Sequence, residues 1–345
     1  MTHLFVDGFD HYGTTIANME DGAWAEVEAG ITLTAAGRTG TYCLRFTSSS
    51  GSAVRLALAA TETVIGFGLA VRLTDGLPSG FLYLAGLQSP LNASQMNIRV
   101  TNLGAIEVVI GGSTYTSASQ PIVSDSWQHI EYFTTIHDTT GSFELRVDGV
   151  TVLSQTGINT DPQAESGVGS TVIGFYGASS VNTRFFNADD YFLYNGSGTV
   201  NNTFLGDSRA RLILPDSNET PQDWSVTGAA SAYEAIDEVP PDDDTSYIAA
   251  STPNDESQFG LEDVPVDVVT LYGVMTFSRM KKTDAGSTTA QVSMVSGASE
   301  DDGTDHSIAE SYTYYKDVFE TDPNTGSLWT RAGFNAAEIK VTKTT

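Results

Sequence analysis

The side chains able to do chemistry are present but scattered. Five histidines, His3, His11, His129, His137 and His306, could serve as general bases or metal ligands, yet none stands in an H-E-x-x-H or H-x-H spacing. Cys43 is the single cysteine, which excludes an intrachain disulfide and a thiolate zinc site. As a nucleophile it would need a helix terminus or a cation to lower its pKa, and an alternating strand offers neither. No G-x-S-x-G elbow, phosphate loop or G-x-G-x-x-G fingerprint occurs. The residues therefore nominate no catalytic, cofactor-binding or metal site, and no cofactor is expected.

Paired carboxylates are the one catalytic device that a β sandwich often carries. Glu144 and Asp148 lie four residues apart on one strand face, but Asp148 belongs to an Asp-Gly turn and Glu144 reads as the solvent side of an amphipathic strand. The E-x-D-x-x-E pattern of sandwich glycosidases is absent. Two acidic stretches, Glu234–Asp244 around Pro240-Pro241 and Glu300–Asp305, lack the EF-hand spacing and read as solvated loops. Sugar binding without catalysis would use an exposed aromatic face. Trp127 reads as core, because its strand continues inward with Ile130 and Tyr132. Trp24, Trp224 and Trp329 read first as loop residues packed on a sandwich. Sequons at Asn92, Asn195, Asn201 and Asn218 are read as chance in an Asn/Ser/Thr-rich chain with no visible signal peptide.

These residues ride on β structure. The 345 residues carry 43 acids against 16 bases, a net charge of −27, with 33 glycines. Such acidity opposes nucleic-acid binding and adhesion to anionic lipid. No apolar run is long enough for a membrane helix, so no membrane insertion is expected. Period-two alternation marks strands at Thr41–Phe46, Val64–Leu73, Phe81–Leu84, Met96–Thr101, Ile106–Ile110, Trp127–Ile136, Phe143–Asp148, Val150–Leu153, Thr171–Tyr176 and Tyr191–Tyr194. Asp148-Gly149 joins two of them as a hairpin. The Gly/Ser/Asn stretch at 195–202 predicts a boundary, with one domain over residues 1–200 and a second over 201–345. The second should open with a strand at Phe204–Leu214. It should also carry a long hairpin of Val264–Met280 with Thr288–Ser296, and one short helix near Ala229–Ile236.

Two resemblances add to this. Ser126-Trp-Gln-His-Ile-Glu-Tyr132 followed by Gly141-Ser-Phe-Glu-Leu-Arg-Val-Asp-Gly149 resembles the central hairpin of laminin-G-like, concanavalin A-like jelly rolls. Phe5-Val-Asp-Gly-Phe-Asp-His-Tyr12, Gly37-Arg-Thr-Gly40, Asp189–Gly198, Phe204-Leu-Gly-Asp207, Asp242–Tyr247 and Asp322–Trp329 resemble, in order, segments of tailed-bacteriophage structural proteins. Some laminin-G-like domains bind calcium through acidic loops. Asp189 and Asp190 are read instead as a turn leading into the last strand.

The combined expectation is an all-β chain with an N-terminal jelly-roll sandwich and a smaller β-rich module. The phage resemblance implies a non-enzymatic virion structural protein, made in the host cytoplasm and exposed on the particle. Tail association as fibre, tip or baseplate comes first, a capsid decoration protein is the alternative, and a glycan-degrading hydrolase is the second alternative. Its expected partners are other virion proteins, copies of itself and a host-surface glycan, with the ligand residues unknown.

Overall fold

The computed structural model describes residues 3–47, 52–175 and 185–345. The chain is all-β, 48% strand and 5% helix, and its first unit is a jelly-roll sandwich. Two compact units are present. Met1–Glu20 with Trp24–Arg211 form the first, and Leu212–Thr345 with Asp21–Ala23 form the second.

The first unit's strands are β1 (His3–Asp7), β2 (Glu26–Val27), β3 (Ile31–Thr34), β4 (Cys43–Phe46), β5 (Ser52–Glu62), β6 (Val64–Leu73), β7 (Phe81–Gln88) and β8 (Ser94–Thr101). They continue with β9 (Ile106–Ile110), β10 (Ser113–Thr116), β11 (Gln128–Thr135), β12 (Gly141–Val147), β13 (Val150–Ile158), β14 (Val168–Phe175) and β15 (Phe186–Asn195). One sheet runs β13-β12-β11-β6-β15-β4-β3, with β1 also on β15, and the other runs β10-β9-β8-β7-β14-β5-β2. All pairings in both sheets are antiparallel. Alternation explains them: in β12, Phe143, Leu145 and Val147 are buried while Ser142, Glu144 and Arg146 are half-buried on the opposite face. The Asp148-Gly149 turn forms as the sequence predicts, with φ of 50° and 78°, the left-handed pair that a tight hairpin requires.

Buried polar anchors close the sandwich. Asp7 at the end of β1 accepts from Phe9 N at 2.7 Å, Tyr12 Oη at 2.9 Å and Trp24 Nε1 at 2.9 Å. Trp24 is thus a core residue, edge-on to Phe5 and stacked on Phe9. Trp127, expected in the core, is instead half-buried, because it precedes the first paired residue of β11. Asp189 and Asp190 do not form a turn before the last strand. They sit fully buried inside β15, where the register with β6 shifts between Asp189 and Phe192. Cys43 is buried in β4, and burial pushes its thiol up to about 12, so it stays a thiol.

The second unit's strands are β16 (Pro215–Gln222), β17 (Ser225–Thr227), β18 (Tyr247–Ala249), β19 (Glu256–Leu261), β20 (Val274–Met280), β21 (Thr289–Ser296), β22 (Ser299–Asp302), β23 (His306–Ser307), β24 (Thr313–Phe319) and β25 (Ala337–Lys343). A sheet of order β16-β19-β25-β21-β22, with β23 on β21, packs over Val264, Met294, Phe319, Trp329 and Phe334. Trp329 donates to the Phe319 carbonyl at 3.1 Å, so it too is core. Trp224 is half-buried and donates to the Asp255 carbonyl.

Three expectations for this unit are corrected. The hairpin Val264–Ser296 does not form: β20 pairs with β24, while β21 pairs with β25 and β22. Pro265 breaks the apolar run, and Val266 and Val269 are left 88% and 93% exposed. Phe204–Leu214 is not a strand: Leu205 N, Gly206 N and Ala210 N donate to Glu131 and Asp190 of the first unit, and Leu214 N to Glu262, rather than to a neighbouring strand. The expected helix near Ala229–Ile236 is a single 3-10 turn at Tyr233–Ala235. The acidic loop is not merely solvated either, since Asp243 pairs with Arg279 and Asp244 with Lys281.

Candidate active site

The face of the first sheet that points away from the sandwich core gathers the chemistry. Ile130 and Tyr132 of β11 point inward, so His129, Glu131 and Phe133 point out. Register fixes their neighbours. His129 lies opposite Ala70, Glu131 opposite Gly68 and Phe133 opposite Gly66 on β6. On the other flank Glu131 faces Arg146 and Phe133 faces Glu144 of β12. Beyond β6, Phe192 faces Gly68 and Tyr194 faces Gly66.

The two glycines make this arrangement possible. A Cβ on Gly68 would lie 2.1 Å from the Phe192 ring, and one on Gly66 would lie 2.4 Å from that of Tyr194. With no side chain there, both rings fold across β6 towards β11. Phe192 stacks on His129 at 5.7 Å and Tyr194 stacks on Phe133 at 5.8 Å. The result is an aromatic floor on an outer sheet face, flanked by carboxylates and Arg146.

The segment 204–210 lies across this floor. Glu131 accepts from Leu205 N at 2.5 Å through Oε1 and from Gly206 N at 3.1 Å through Oε2. Phe204 lies under the Arg146 guanidinium, 3.7 Å from ring centre to Cζ. Asp207 pairs with Arg38, and Arg38 also holds Asp190 at 3.0 Å. Ala210 N donates to Asp190 Oδ1 at 3.0 Å. These contacts explain why the first unit extends through Arg211, past the Gly/Ser/Asn stretch.

Burial beneath this strap sets the electrostatics. Glu131 is 1% exposed, and desolvation pushes its carboxyl up to about 7, against the pull of the two strap N–H groups and Arg146. Glu144 moves the opposite way. Hydrogen bonds from Thr151 at 2.6 Å and Arg146 Nε at 2.8 Å outweigh its desolvation and hold it below the ordinary carboxylate range. Glu131 and Glu144 are diagonal neighbours on adjacent strands, with Cβ atoms about 7 Å apart. His129 is also 1% exposed, neither ring nitrogen has a hydrogen-bond partner among the described residues, and burial lowers it to about 4. Burial and the neighbouring Glu131 charge both push the Tyr194 hydroxyl up.

A pH experiment follows from Glu131. Between pH 4.5 and about 7 the folded chain keeps a proton that the unfolded chain has lost, so this group makes stability fall as pH rises through that window. Glu131→Gln should remove that loss. The stability difference between variant and wild type should therefore shift by about 1–3 kcal/mol in the variant's favour from pH 5 to pH 8. Guanidinium midpoints at the two pH values measure it, and a pH-independent difference would place Glu131 at its ordinary value. His129 contributes with the opposite sign but cancels in the comparison.

The sequence had singled out Glu144 with Asp148. The structure separates them: Asp148 accepts from His129 N at 2.8 Å within its turn, and the carboxylate diagonal to Glu144 on the adjacent strand is Glu131. His129 was named only as one of five histidines, and Tyr194 only as the end of a strand. The signal for Glu131 was present, because alternation through Ile130 and Tyr132 already puts it outward.

No family model matches the chain, and no curated protein matches it. Solved structures do. A cellulose-induced protein, Cip1, is 12% identical with a TM-score of 0.39, covering 52% of this chain and 88% of that one. The alginate lyase Aly36B is 13% identical with a TM-score of 0.39, covering 55% and 95%. A sialidase is 11% identical with a TM-score of 0.42, covering 57% of this chain but 19% of its own. The likeness is one of fold. These findings correct the expectation of a non-enzymatic virion component, whether tail-associated or decorating the head. The matched structures named here are a cellulose-induced protein, an alginate lyase and a sialidase rather than particle components, and the outer face holds a carboxylate pair, Glu131 with Glu144, that the sequence reading had not weighed.

Proposed function

We propose that the first unit is a glycan-degrading hydrolase whose active centre is the outer face around Glu131 and Glu144. One observation carries this: two carboxylates on adjacent strands whose environments push their proton affinities apart. Glu131, protonated near neutral pH, is the general acid that gives its proton to the leaving glycosidic oxygen. Glu144, kept ionised by Arg146 and Thr151, is the base or nucleophile on the other side of the bond. Water supplies the hydroxyl to the cleaved carbon; its proton goes to Glu131 when Glu144 is the nucleophile, and to Glu144 when Glu144 is the base, solvent then returning both groups to their starting states. The floor of Phe133, Phe192, Tyr194 and His129 offers the flat apolar surface on which a sugar ring stacks. The glycan-related proteins of similar fold are compatible with this reading, which rests on the site geometry.

Substrate reaches the pair only when the strap leaves it, and a sugar seated on the floor then takes over the strap's part in keeping water from Glu131. The strap turns on Gly206, whose φ of +78° proline cannot adopt and whose N–H proline lacks. Gly206→Pro combined with Asp207→Asn should release it from Glu131 and Arg38. The test is reducing-end release from cellulose, xylan, pectate and alginate by the full chain. We expect cleavage of at least one polymer, at least tenfold faster in the strap variant. No cleavage of any polymer by either protein, both folded by circular dichroism, would overturn the assignment.

A further inference from the structure

Further along the same face lies a row of side chains that cleavage does not use. Arg72 of β6 faces Asn187 of β15, and Asn187 faces Arg45 of β4. Trp127, half-buried, precedes Gln128, the partner of Val71, and so comes beside Arg72. Arg72 stands four residues along β6 from Gly68, the residue opposite Glu131, or about 13 Å.

Charge pairing sets this row apart. The chain has 43 acids for 16 bases, so carboxylate partners are plentiful. Arg38, Arg55, Arg99 and Arg146 each hold one: Asp190, Glu26, Glu107 and Glu144 respectively. Arg45 and Arg72 hold none among the described residues. Arg45 lies 5.2 Å over the Phe185 ring instead. Arg45 and Arg72 stand on the strands either side of Asn187, and an anion near both would supply the counter-charge that they lack among the described residues.

The polar atoms between them are equally specific. Arg72 Nε and Asn187 Oδ1 are both buried and without a hydrogen bond among the described residues, and Asn187 is 1% exposed. One is a donor only and the other an acceptor only. A hydroxyl satisfies both at once, accepting from Arg72 and donating to Asn187. The remaining guanidinium edges match a planar carboxylate or a sulfate.

We infer that Arg45, Asn187 and Arg72 form a subsite for an anionic sugar, a uronic acid or a sulfated residue, on the same outer sheet face as Glu131 and Glu144. The hydroxyl fits the buried Asn187–Arg72 pair, the acid group fits the two guanidiniums, and Trp127 borders the row. That this sugar belongs to the substrate rests on the hydrolase reading; the binding subsite does not.

Calorimetric titration of the full chain tests it, with trigalacturonic acid, a chondroitin sulfate tetrasaccharide, cellotriose, sodium acetate and sodium sulfate as probes. At least one acidic oligosaccharide should bind tenfold or more tighter than cellotriose and than either free anion. Arg72→Gln and Arg45→Gln should each weaken that binding about tenfold or more. Arg72→Lys, which keeps the charge but loses the fork, should retain only part of it. Equal affinity for acidic and neutral sugars, or unchanged binding in both glutamine variants, would overturn the subsite. Free sulfate or acetate binding as tightly as the sugars would overturn the sugar assignment. Acidic-sugar binding without cleavage of any polymer would sink the hydrolase reading and leave the subsite standing.

Discussion

Glu131→Gln is expected to slow polysaccharide cleavage by about 10²–10⁴-fold, the usual worth of a general acid. The amide keeps the size of the side chain and one acceptor for the strap, so the change removes the transferable proton and little else. Glu144→Gln should be at least as damaging, because it removes the negative charge that meets the developing cation on the sugar. The two variants separate by substrate. An aryl glycoside with a good leaving group needs no proton, so Glu131→Gln should recover activity on it while Glu144→Gln should not. In the wild type, activity should decline as pH rises and Glu131 loses its proton. Equal activity of wild type and both variants on every substrate would remove the pair from the chemistry.

The second large effect is on stability. Asp7→Ala should cost about 3–5 kcal/mol, because it strips a shared acceptor from the buried Phe9 N–H, Tyr12 hydroxyl and Trp24 indole N–H. All three belong to core residues that water does not reach. A midpoint lower by roughly 10 °C is the expected calorimetric result for a unit of this size. Asp7→Asn, which keeps one oxygen, should lose about half as much. A loss below about 1 kcal/mol in the alanine variant would show that these donors find other partners.

Local pattern carried most of the first unit. Val64–Leu73 and Ile106–Ile110 are strands over their full expected spans, and Asp148-Gly149 turns as its residue types demand. Alternation of side-chain direction is a property of a few consecutive residues, so it is legible without knowing the neighbours. The same logic failed at Val264–Met280, where Pro265 and the tertiary pairing of β20 with β24 override the apolar run. It failed again at Phe204–Leu214, whose apolar residues read as a strand although their N–H groups find side-chain acceptors instead.

The sequence alone determined the class of structure, the hairpin at Asp148-Gly149 and the outward direction of both Glu131 and Glu144. Only the tertiary structure decided that they become diagonal neighbours, because β11 and β12 could pair in several registers and the one adopted places Glu131 against Arg146 and Phe133 against Glu144. The raised affinity of Glu131 for its proton comes from burial, and the segment lying across it is 74 residues away in the chain. The unpaired Arg45–Asn187–Arg72 row joins strands that lie far apart in the chain. Burial and register are long-range quantities, set when distant strands meet, and no local spacing encodes them.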